Sequence, residues 1–402
     1  MMTIAYFSNF LNHHQKLVAD ELASIEGIQY TFVETVPMYN WLRKGGYSDY
    51  SQESYVLRAW ENTENRQKAI ELAKIVDVAL FAGPEVLYLE VIRAKSCDKI
   101  SFEVSERWLK RGWINMLSPR LLKSMWYYHM LFKKRAIYKL CASAFGASDQ
   151  YKLYTFKNRC YKWGYFTLVD KNFDVEELLK KLPHQDFTTS FMWCSRFLKW
   201  KHPELPILMA KSLKDKGYRF VLDMYGSGEK FKASLKLVED LKLDDVISFK
   251  GNLPNAEILH AMRDHEIFLF TSDRNEGWGA VANEAMSNGC VLVASDAIGS
   301  IPYLVENGKT GVTFKSADKK FGFIGKSLKV DEVALKSLTD KVEWLLLNPQ
   351  ERRRIASNGY KEMRDVWSPA NAARNLLSLI DDLQNGRDSS ISEGPCSKAS
   401  II

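Results

Sequence analysis

The sequence predicts an α/β protein with two doubly wound parallel sheets, and two observations lead to that prediction. Strand-like apolar runs alternate with helical runs over residues 3–105, and the same alternation restarts at about residue 190. At 402 residues the chain also exceeds what a single hydrophobic core usually holds, so two domains are expected. We therefore predict a first domain over residues 1–185 and a second over residues 186–367.

The first domain begins with the strand-like run TIAYFSN at residues 3–9, which the helical run KLVADELASI follows. Further strand-like runs occupy residues 28–35, 76–83 and 98–105, with helical or irregular segments between them. Strands that helices connect in this way pair in parallel, and their carboxyl ends meet at one edge of the sheet. Ligands are expected at that edge.

The second domain repeats this order. FMWCSRF, RFVLDMYG, VISFKG, IFLFTSD and CVLVASD read as strands, and helical runs separate them. With two such domains, the sequence predicts two sheets that face each other across a ligand cleft. A helix over about residues 368–385 is predicted to pack back on the first domain, and residues 386–402 (GRDSSISEGPCSKASII) to form a disordered tail.

The net charge of +7 is concentrated in one segment of the first domain. Residues 107–140 contain no acid, and their aromatic and leucine side chains are interleaved with nine cations: Arg107, Lys110, Arg111, Arg120, Lys123, Lys133, Lys134, Arg135 and Lys139. Such a segment suits an anionic membrane surface or an anionic lipid-linked substrate. An ordinary helix pair with its aromatics in the core explains the pattern equally well. No recognised nucleic-acid-binding module accompanies the segment, so nucleic acid is not a predicted partner.

The sequence also bounds the compartment and the metal content. No apolar run approaches the roughly 20 residues that span a bilayer, and MMTIAYFSNF lacks the basic flank of a signal peptide. We therefore expect a cytoplasmic protein, peripheral at the inner face of the plasma membrane if the basic segment docks there. Six cysteines are scattered without the spacing of a metal site, so reduced structural thiols and no bound metal are expected.

The stretch RNEGWGAVANEAMSNG, residues 274–289, places two glutamates beside a glycine loop. It follows the buried strand IFLFTSD and opens a helix at Ala280. Gly277 and Gly279 allow backbone N–H groups to approach a phosphate closely, and the helix N-terminus adds partial positive charge. Glu276 and Glu284 flank this anion site, where sugar and ribose hydroxyls are suitable partners for their carboxylates. The pattern predicts a nucleotide-diphosphate sugar as ligand.

Two cations and a further glycine turn follow other strands of the second domain. FMWCSRFLKWK carries Arg196 and Lys201, which can neutralise a diphosphate, the arginine by bidentate bonds and the lysine as a point charge. Gly226 lies in MYGSGEK directly after a strand. This turn is either a loop on the phosphate side or simply a tight turn.

Together these segments resemble the C-terminal domain of the family-four retaining glycosyltransferases, which have the GT-B fold. The resemblance runs from FMWCSRFLKWK through YGSGEK and VISFKGNLPNAEI to SDRNEGWGAVANEAMSNGCVLVASDAIGSIPYLVENGKTGVTF. It implies that Glu276 contacts the donor sugar, Glu284 the ribose, and Arg196 with Lys201 the diphosphate. It also assigns a set of loop residues to the donor: Gly277, Trp278, Gly279, Ala280, Gly226, Gly251, Asn252 and Leu253. The family uses no metal and no cofactor beyond the nucleotide-sugar substrate.

The first domain departs from the common family pattern. SNFLNHHQ replaces the usual Gly-Gly turn, and FEVSERW offers Glu103, Glu106 and Arg107 where many members have a histidine. NHHQ, TVPMYNWLRKGGY, SERWLKRG and CASAFGASDQ with YKWGYF are similar to a bacterial subgroup of surface-polysaccharide transferases. Acceptors of that subgroup are lipid-linked. The predicted acceptor-side residues are His13, His14, Glu106 and Arg107.

The resemblance therefore implies a retaining glycosyltransferase of hexosyltransferase type. Its expected donor is a UDP- or GDP-sugar, and its expected acceptor is a hydroxyl of a lipid-linked glycan in O-antigen (lipopolysaccharide), capsule or exopolysaccharide synthesis. A sugar-nucleotide epimerase of the same fold and a non-catalytic sugar-nucleotide-binding module are the alternatives. A glycosidase fits poorly, because its two carboxylates must flank the scissile bond from separate positions.

Overall fold

The structure is a computed structural model that describes residues 1–40, 43, 48–170, 172–181, 188–316 and 331–402. Most of the WLRKGGY part of the first-domain motif and the boundary predicted at residue 185 lie outside these ranges. The chain forms two compact units, one of Met1–Leu168 with Val366–Ile402 and one of Val169–Asp365. Each unit contains one parallel sheet with helices packed on it, so the predicted α/β class with two doubly wound Rossmann-like domains is confirmed.

The first unit is built around a seven-stranded parallel sheet in the order β3-β2-β1-β4-β5-β6-β7. Its strands are β1 (Met2–Ser8), β2 (Ile28–Glu34), β3 (Val56–Arg58), β4 (Val78–Ala82), β5 (Ser101–Ser105), β6 (Ile137–Cys141) and β7 (Cys160–Lys162). Strand β4 pairs with β1 on one side and β5 on the other, and it is almost wholly buried. Burial on both faces explains why VALFA reads as a continuous apolar run.

The helices of this unit are α1 (His13–Ser24), α2 (Thr63–Ile75), α3 (Leu87–Ser96), α4 (Pro119–Met130), α5 (Gly146–Lys152) and, after the second unit, α14 (Pro369–Gln384). Short 3₁₀ turns span Pro84–Val86, Gly112–Leu117 and Phe132–Lys134. Helix α1 begins at His13 because the Asn12 side chain accepts hydrogen bonds from two backbone N–H groups of the first turn. The helix predicted over about 368–385 is α14, which packs against α1.

Residues 386–402 do not form the disordered tail that their composition predicted. Cys396 is fully buried, and its backbone N–H donates to the carbonyl oxygen of Lys162 in β7 over 2.7 Å. The N–H of Lys162 in turn donates to the carbonyl oxygen of Ser397 over 2.8 Å. The open edge of the sheet supplies hydrogen-bond partners to this segment, and a polar composition does not reveal such pairing.

The second unit has a six-stranded parallel sheet in the order β10-β9-β8-β11-β12-β13. Its strands are β8 (Thr189–Cys194), β9 (Phe220–Tyr225), β10 (Ile247–Gly251), β11 (Ile267–Phe270), β12 (Val291–Ser295) and β13 (Val312–Phe314). Its helices are α6 (Val175–Lys181), α7 (Glu204–Asp215), α8 (Phe231–Asp240), α9 (Asn255–Met262), α10 (Val281–Ser287), α11 (Ile301–Leu304), α12 (Glu332–Leu347) and α13 (Pro349–Lys361). A 3₁₀ turn spans Lys199–Lys201.

The units divide after Leu168, which is earlier than the boundary predicted from the sequence. Val175 and Leu179 of α6 are buried in the core of the second unit, so this helix belongs to the second unit and not to the first. The boundary was predicted in the polar stretch after α6 because linkers between domains are usually polar. The apolar face of α6 is the stronger determinant, because it needs a core to cover it.

Candidate functional site

The predicted donor-binding residues follow four neighbouring strands of the second sheet. Arg196 follows β8, Gly226 follows β9, Gly251 ends β10, and Glu276 lies in the loop after β11. All pairs in this sheet are parallel, so these carboxyl ends lie at one edge. The edge is where doubly wound sheets bind ligands. We refer to it below as the carboxyl edge of the second sheet.

Lys201 and Glu276 form a direct ion pair at this edge, between Nζ and Oε2. Both side chains are largely buried, at 11% and 12% exposure. The Ser272 hydroxyl also donates to Glu276 Oε2, over 3.0 Å. The Lys201 ammonium further lies 4.3 Å from the ring centroid of Trp200. The sequence assigned Lys201 and Glu276 to different parts of the donor. In the structure the two side chains form one ion pair, whose charges balance.

Thr271, directly after β11, links the backbone that carries Lys201 to the core of the second unit. The Thr271 hydroxyl donates to the Lys201 carbonyl oxygen over 2.7 Å and accepts from Trp193 Nε1 over 2.9 Å. Trp193 and Thr271 are both buried. The core of the second unit therefore fixes the position from which the lysine side chain reaches the glutamate.

His202 was not singled out from the sequence, yet it joins the Lys201 turn to the loop that contains Glu276. Its Nδ1 lies 2.8 Å from Glu204 Oε1, and its Nε2 lies 3.5 Å from Asp273 Oδ2. Burial by itself lowers the pKa of this imidazole, but the hydrogen bonds to Asp273 and Glu204 raise the pKa of His202 to about 9. At neutral pH the ring is therefore protonated and bridges two carboxylates.

We expect His202→Gln to destabilise the protein by about 2 kcal/mol at pH 6, since it removes charge-assisted hydrogen bonds. The folded pKa of about 9 exceeds the ordinary value of 6.5, so this stabilisation is complete below pH 6.5 and is lost as the pH rises through 9. Thermal unfolding from pH 6 to pH 9.5 measures the effect. The gap between wild type and variant should close with rising pH, and His260→Gln, at an exposed helical position, should show no gap. A gap independent of pH would contradict the assignment.

Gly279 occupies a position that only glycine can adopt. Its φ is +82°, and an added Cβ would lie 2.3 Å from the Phe270 ring. Gly277 is buried, and Ala280 directly precedes α10, whose length is seven residues. Gly279 therefore brings the Glu276 loop close against β11. The approach of the loop N–H groups to a phosphate stays a prediction.

Trp278 lies between these glycines, and its side chain does not face a ligand. It is fully buried, and its indole Nε1 donates to Asn283 Oδ1 over 2.9 Å. This corrects the assignment of Trp278 to donor binding as far as its side chain is concerned. A large aromatic group between two glycines anchors the loop to the core instead.

Glu284 lies on α10, one turn into the helix. Its Oε1 accepts a hydrogen bond from Asn255 Nδ2 over 3.1 Å. Burial of the carboxyl group raises the pKa of Glu284 to about 7. Near neutral pH the Glu284 carboxyl group is therefore partly protonated, so it can either donate or accept a hydrogen bond.

The glycine turn after β9 is packed directly on the loop after β8. An added Cβ on Gly226 would lie 2.0 Å from the Ser195 carbonyl oxygen, and one on Gly228 would lie 2.7 Å from the Phe197 carbonyl oxygen. The Gly226 N–H donates to the Gly251 carbonyl oxygen over 2.7 Å. The sequence left open whether this segment is a phosphate-side loop or a tight turn. Close packing of backbone on backbone is by itself enough to explain why glycine is needed at both positions.

Asn252 and Leu253 follow Gly251, which has a φ of +71°. The Asn252 side-chain amide donates to the Ser227 hydroxyl over 2.9 Å, and Leu253 is 38% exposed. An exposed leucine beside a fixed turn offers an apolar surface to a ligand, and the assignment of these residues to the donor stays a prediction. Arg196 is exposed as well, and within the described residues its side chain makes no hydrogen bond or ion pair.

In the first unit, the predicted residues His13, His14 and Glu106 meet around a residue that the sequence did not single out, Tyr165. The His14 ring stacks on the Tyr165 ring at 5.3 Å, and the Tyr165 hydroxyl donates to Glu106 Oε1 over 2.9 Å. The His13 and His14 rings lie 3.7 Å apart. The fold therefore brings together three of the four predicted acceptor-side residues.

Both histidines are held in the neutral form. Burial lowers the pKa of His13, and burial together with the neighbouring His13 lowers the pKa of His14 to about 3. The pair can exchange hydrogen bonds with hydroxyl groups but carries no positive charge at neutral pH.

Arg107 has a different environment. Its guanidinium forms a bidentate ion pair with Asp149, and the two side chains are 8% and 1% exposed. Asp149 also accepts from the backbone N–H of Leu109 over 2.8 Å. Arg107 therefore fixes the segment after β5, and this structural role accounts for its charge.

The basic segment combines packed and exposed apolar side chains. Leu121, Tyr128 and Phe132 are buried, as the helix-pair interpretation requires. A second set is exposed: Trp113 at 53%, Leu117 at 79%, Leu122 at 48%, Trp126 at 58% and Met130 at 62%. We call this second set, with the exposed cations Arg111, Arg120, Lys123, Lys133 and Lys134, the basic face. Among the helices that the structure describes, none is long and apolar enough to cross a membrane.

No group of three or more His, Cys, Asp or Glu side chains is gathered as a metal site within the described ranges. The cysteines are free, and Cys141, Cys160, Cys290 and Cys396 are buried.

Comparison with known proteins identifies a matching family model and several relatives. Residues 174–321 match the family model described as Glycosyl transferases group 1. The chain is 28% identical over 164 residues to the N-acetyl-alpha-D-glucosaminyl L-malate synthase of Bacillus anthracis, covering 41% of this chain and 39% of that protein. It is 33% identical over 114 residues to the poly(glycerol-phosphate) alpha-glucosyltransferase of Bacillus subtilis (strain 168), covering 28% of this chain and 16% of that protein. The chain thus matches less than two thirds of the length of either relative.

Among solved structures, Anabaena Alr3699/HepE in complex with UDP superimposes with a TM-score of 0.66 at 15% sequence identity. The superposition covers 96% of this chain and 100% of that chain. At this identity the likeness establishes the fold alone. It confirms the fold that the sequence resemblance predicted.

Proposed function

We propose, from the match of residues 174–321 to the family model described as Glycosyl transferases group 1, that the chain is a retaining glycosyltransferase. Its donor is a nucleotide-diphosphate sugar with a uridine or guanosine base, and its acceptor is a hydroxyl of a lipid-linked glycan in surface-polysaccharide synthesis. The observation that carries the proposal is the Lys201–Glu276 ion pair at the carboxyl edge of the second sheet, with Arg196 on the loop after β8 and Glu284 on helix α10.

The chemistry follows from the charges at this edge. Departure of the nucleoside diphosphate develops negative charge on a phosphate oxygen, which Arg196 and Lys201 stabilise. Glu276, paired with Lys201, accepts hydrogen bonds from the donor sugar, while Glu284 accepts from the ribose hydroxyls. The leaving phosphate oxygen takes the acceptor proton on the same face of the sugar, so the anomeric configuration is retained and no nucleophilic side chain is needed.

The choice of donor is supported by a structural neighbour. Anabaena Alr3699/HepE, whose fold the chain shares, was solved in complex with UDP-glucose. We propose that the reaction needs neither a metal nor another cofactor, because two cations from the protein neutralise the diphosphate. A divalent metal would be expected beside carboxylates that bind phosphate oxygens through it, whereas Glu276 is already paired with Lys201.

The acceptor side rests on the first unit and on the relatives. The Bacillus subtilis relative is named a poly(glycerol-phosphate) alpha-glucosyltransferase, which is by that name a transferase acting on a polymer. The cluster of His13, His14, Glu106 and Tyr165 presents neutral rings and a carboxylate that suit hydroxyl groups. We place the reaction in the cytoplasm, at the inner face of the plasma membrane, where the basic face meets anionic lipids.

The proposal is tested by incubating the protein with a panel of UDP- and GDP-sugars without acceptor, with and without excess EDTA. We expect slow release of one nucleoside diphosphate, unchanged by EDTA. Glu276→Gln should reduce the rate about 10-fold or more, because a charged hydrogen bond to the sugar is lost. Glu306→Gln, at an exposed glutamate of the same unit, is the matched control and should not.

Three other outcomes would contradict parts of this proposal. Conversion of the sugar nucleotide into an isomer would identify an epimerase. Binding without turnover, even with lipid-linked acceptors added, would identify a non-catalytic module. Loss of activity in EDTA that added metal restores would refute metal independence.

A further inference from the structure

A cavity of about 320 Å³ lies within the first unit, where β4 and β5 end. Its volume falls in the range of roughly 300–1,000 Å³ that is typical of small-molecule sites. Helix α4 closes one side with Ser124 and Tyr128, and helix α3 closes another with Glu90. None of the residues assigned to the donor lines this cavity.

Glu90 is the feature of the cavity that calls for a ligand. It is 3% exposed, and its Oε1 has no hydrogen-bond partner among the described residues. Burial raises the pKa of Glu90 to about 8, so the carboxyl group is mostly protonated at neutral pH. A buried polar oxygen without a partner costs about 1–3 kcal/mol, and a hydroxyl group inside the cavity would remove that cost.

The buried cations at the cavity, Lys139 and Arg107, are already paired. Lys139 is fully buried and forms an ion pair with Glu103, and its Nζ also donates to the Ser105 hydroxyl over 2.7 Å. Arg107 is held by Asp149. Arg120 makes no ion pair within the described residues, but it is exposed at the rim. The interior therefore offers no uncommitted charge for an anion, and a neutral ligand is favoured.

Aromatic side chains form a further part of the wall. The Trp108 indole Nε1 donates to the Ser105 hydroxyl over 3.2 Å, which fixes the ring in place. Phe156 packs edge-to-face on Trp108 with centroids 6.1 Å apart, and Tyr128 packs on Phe156 at 4.6 Å. A ligand that is apolar on its faces and carries hydroxyl groups at its edge matches such a wall, because glutamate and serine side chains, among them Glu90 and Ser124, also line the cavity.

We propose that this cavity binds a neutral pyranose ring, with Glu90 and Ser124 as its hydrogen-bond partners and Trp108 against its face. If the chain is the glycosyltransferase proposed above, on which this second step rests, the ring is a sugar of the acceptor. The position of the cavity supports that role. Helix α4 lines it from one side, and Leu122 and Trp126 of the same helix are exposed on the basic face. If the basic face holds the protein at a membrane, a lipid-linked glycan in that membrane can bring its sugars to the rim of the cavity.

The test uses methyl glycosides of common hexoses and N-acetylhexosamines as probes, at millimolar concentration, with saturation-transfer NMR on the whole protein. At least one glycoside should receive saturation at its ring protons from the wild type. Ser124→Trp, which fills the cavity, should remove the signal. Glu90→Leu should weaken the affinity about 10-fold, since one hydrogen-bonding group is lost. Glu71→Leu, at an exposed glutamate of α2, is the matched control and should bind as the wild type does.

Each outcome is decisive. Glu90→Leu is expected to fold, because it removes a buried polar group and leaves none unpaired, so it remains informative if Ser124→Trp does not fold. Unchanged affinity in both variants, or no glycoside bound by the wild type, would refute the cavity as a sugar site. Donor hydrolysis by the wild type is a separate measurement. Glycoside binding without donor hydrolysis would support the cavity as a sugar site and refute the proposed function. Donor hydrolysis without glycoside binding would support the proposed function and refute the cavity as a sugar site.

Discussion

Replacement of Arg196 by alanine should slow sugar transfer about 100-fold or more. The arginine is exposed at the carboxyl edge of the second sheet, and its charge is not consumed by any described partner. It is therefore available to a diphosphate, in contrast with Lys201, which is shared with Glu276. One preorganised donor to developing negative charge contributes ~2.7–4 kcal/mol, which corresponds to about 10²–10³-fold in rate.

The measurement is kcat for transfer, or for slow donor hydrolysis, together with the Kd of the free nucleoside diphosphate. If Arg196 acts mainly on the departing diphosphate, kcat should fall by a larger factor than the affinity for the intact donor. Arg219→Ala is the matched control, because Arg219 precedes β9 at the opposite edge of the same sheet. Wild-type turnover by the Arg196 variant would show that the diphosphate assignment is wrong.

The sequence predicts the architecture well because burial determines the spacing of apolar residues along each strand and helix. Strands buried on both faces, such as VALFA in β4, leave continuous apolar runs that stand out between amphipathic helices. Boundaries are harder, because a short helix reveals its partner only through packing. Helix α6 illustrates this: Val175 and Leu179 could cover either core, and only the fold shows that they cover the second.

The site is predictable where local geometry demands a residue type, as at Gly279, and less so where contacts are distant in sequence. Lys201 and Glu276 are 75 positions apart, so their ion pair could not be read from spacing. Burial of the Trp278 side chain was not foreseen, because a motif carries residue identities and not side-chain directions. Tyr165 lies within the quoted motif YKWGYF but received no role, and Glu90 left no local signal, since a glutamate in a helix is common. His202 could have been noticed, because a histidine directly after Lys201 is close enough to bridge to the acidic residues that follow.

The basic face should bind anionic vesicles, and removal of three of its charges should weaken that binding about 100-fold. Each lysine or arginine near an anionic surface contributes about 1 kcal/mol, so Arg111, Arg120 and Lys123 together contribute about 3 kcal/mol. All three are exposed, and Lys123 lies one helical turn from the exposed Trp126. The cations are thus placed beside side chains that can enter the headgroup region.

Sedimentation with vesicles of neutral lipid, with and without anionic lipid, measures this binding. The wild type should sediment only with anionic vesicles and should be released by salt, because exposed charges are screened over roughly 8 Å at physiological ionic strength. The triple variant with serine at positions 111, 120 and 123 should remain in the supernatant. A control with serine at Lys68, Lys95 and Lys99 changes the net charge equally on other exposed positions of the first unit, and it should still sediment. If the control is released as readily as the triple variant, net charge and not the basic face drives the attraction. If the wild type itself stays in solution at low salt, the face is an ordinary solvated surface, and the acceptor must reach the protein without a membrane to present it.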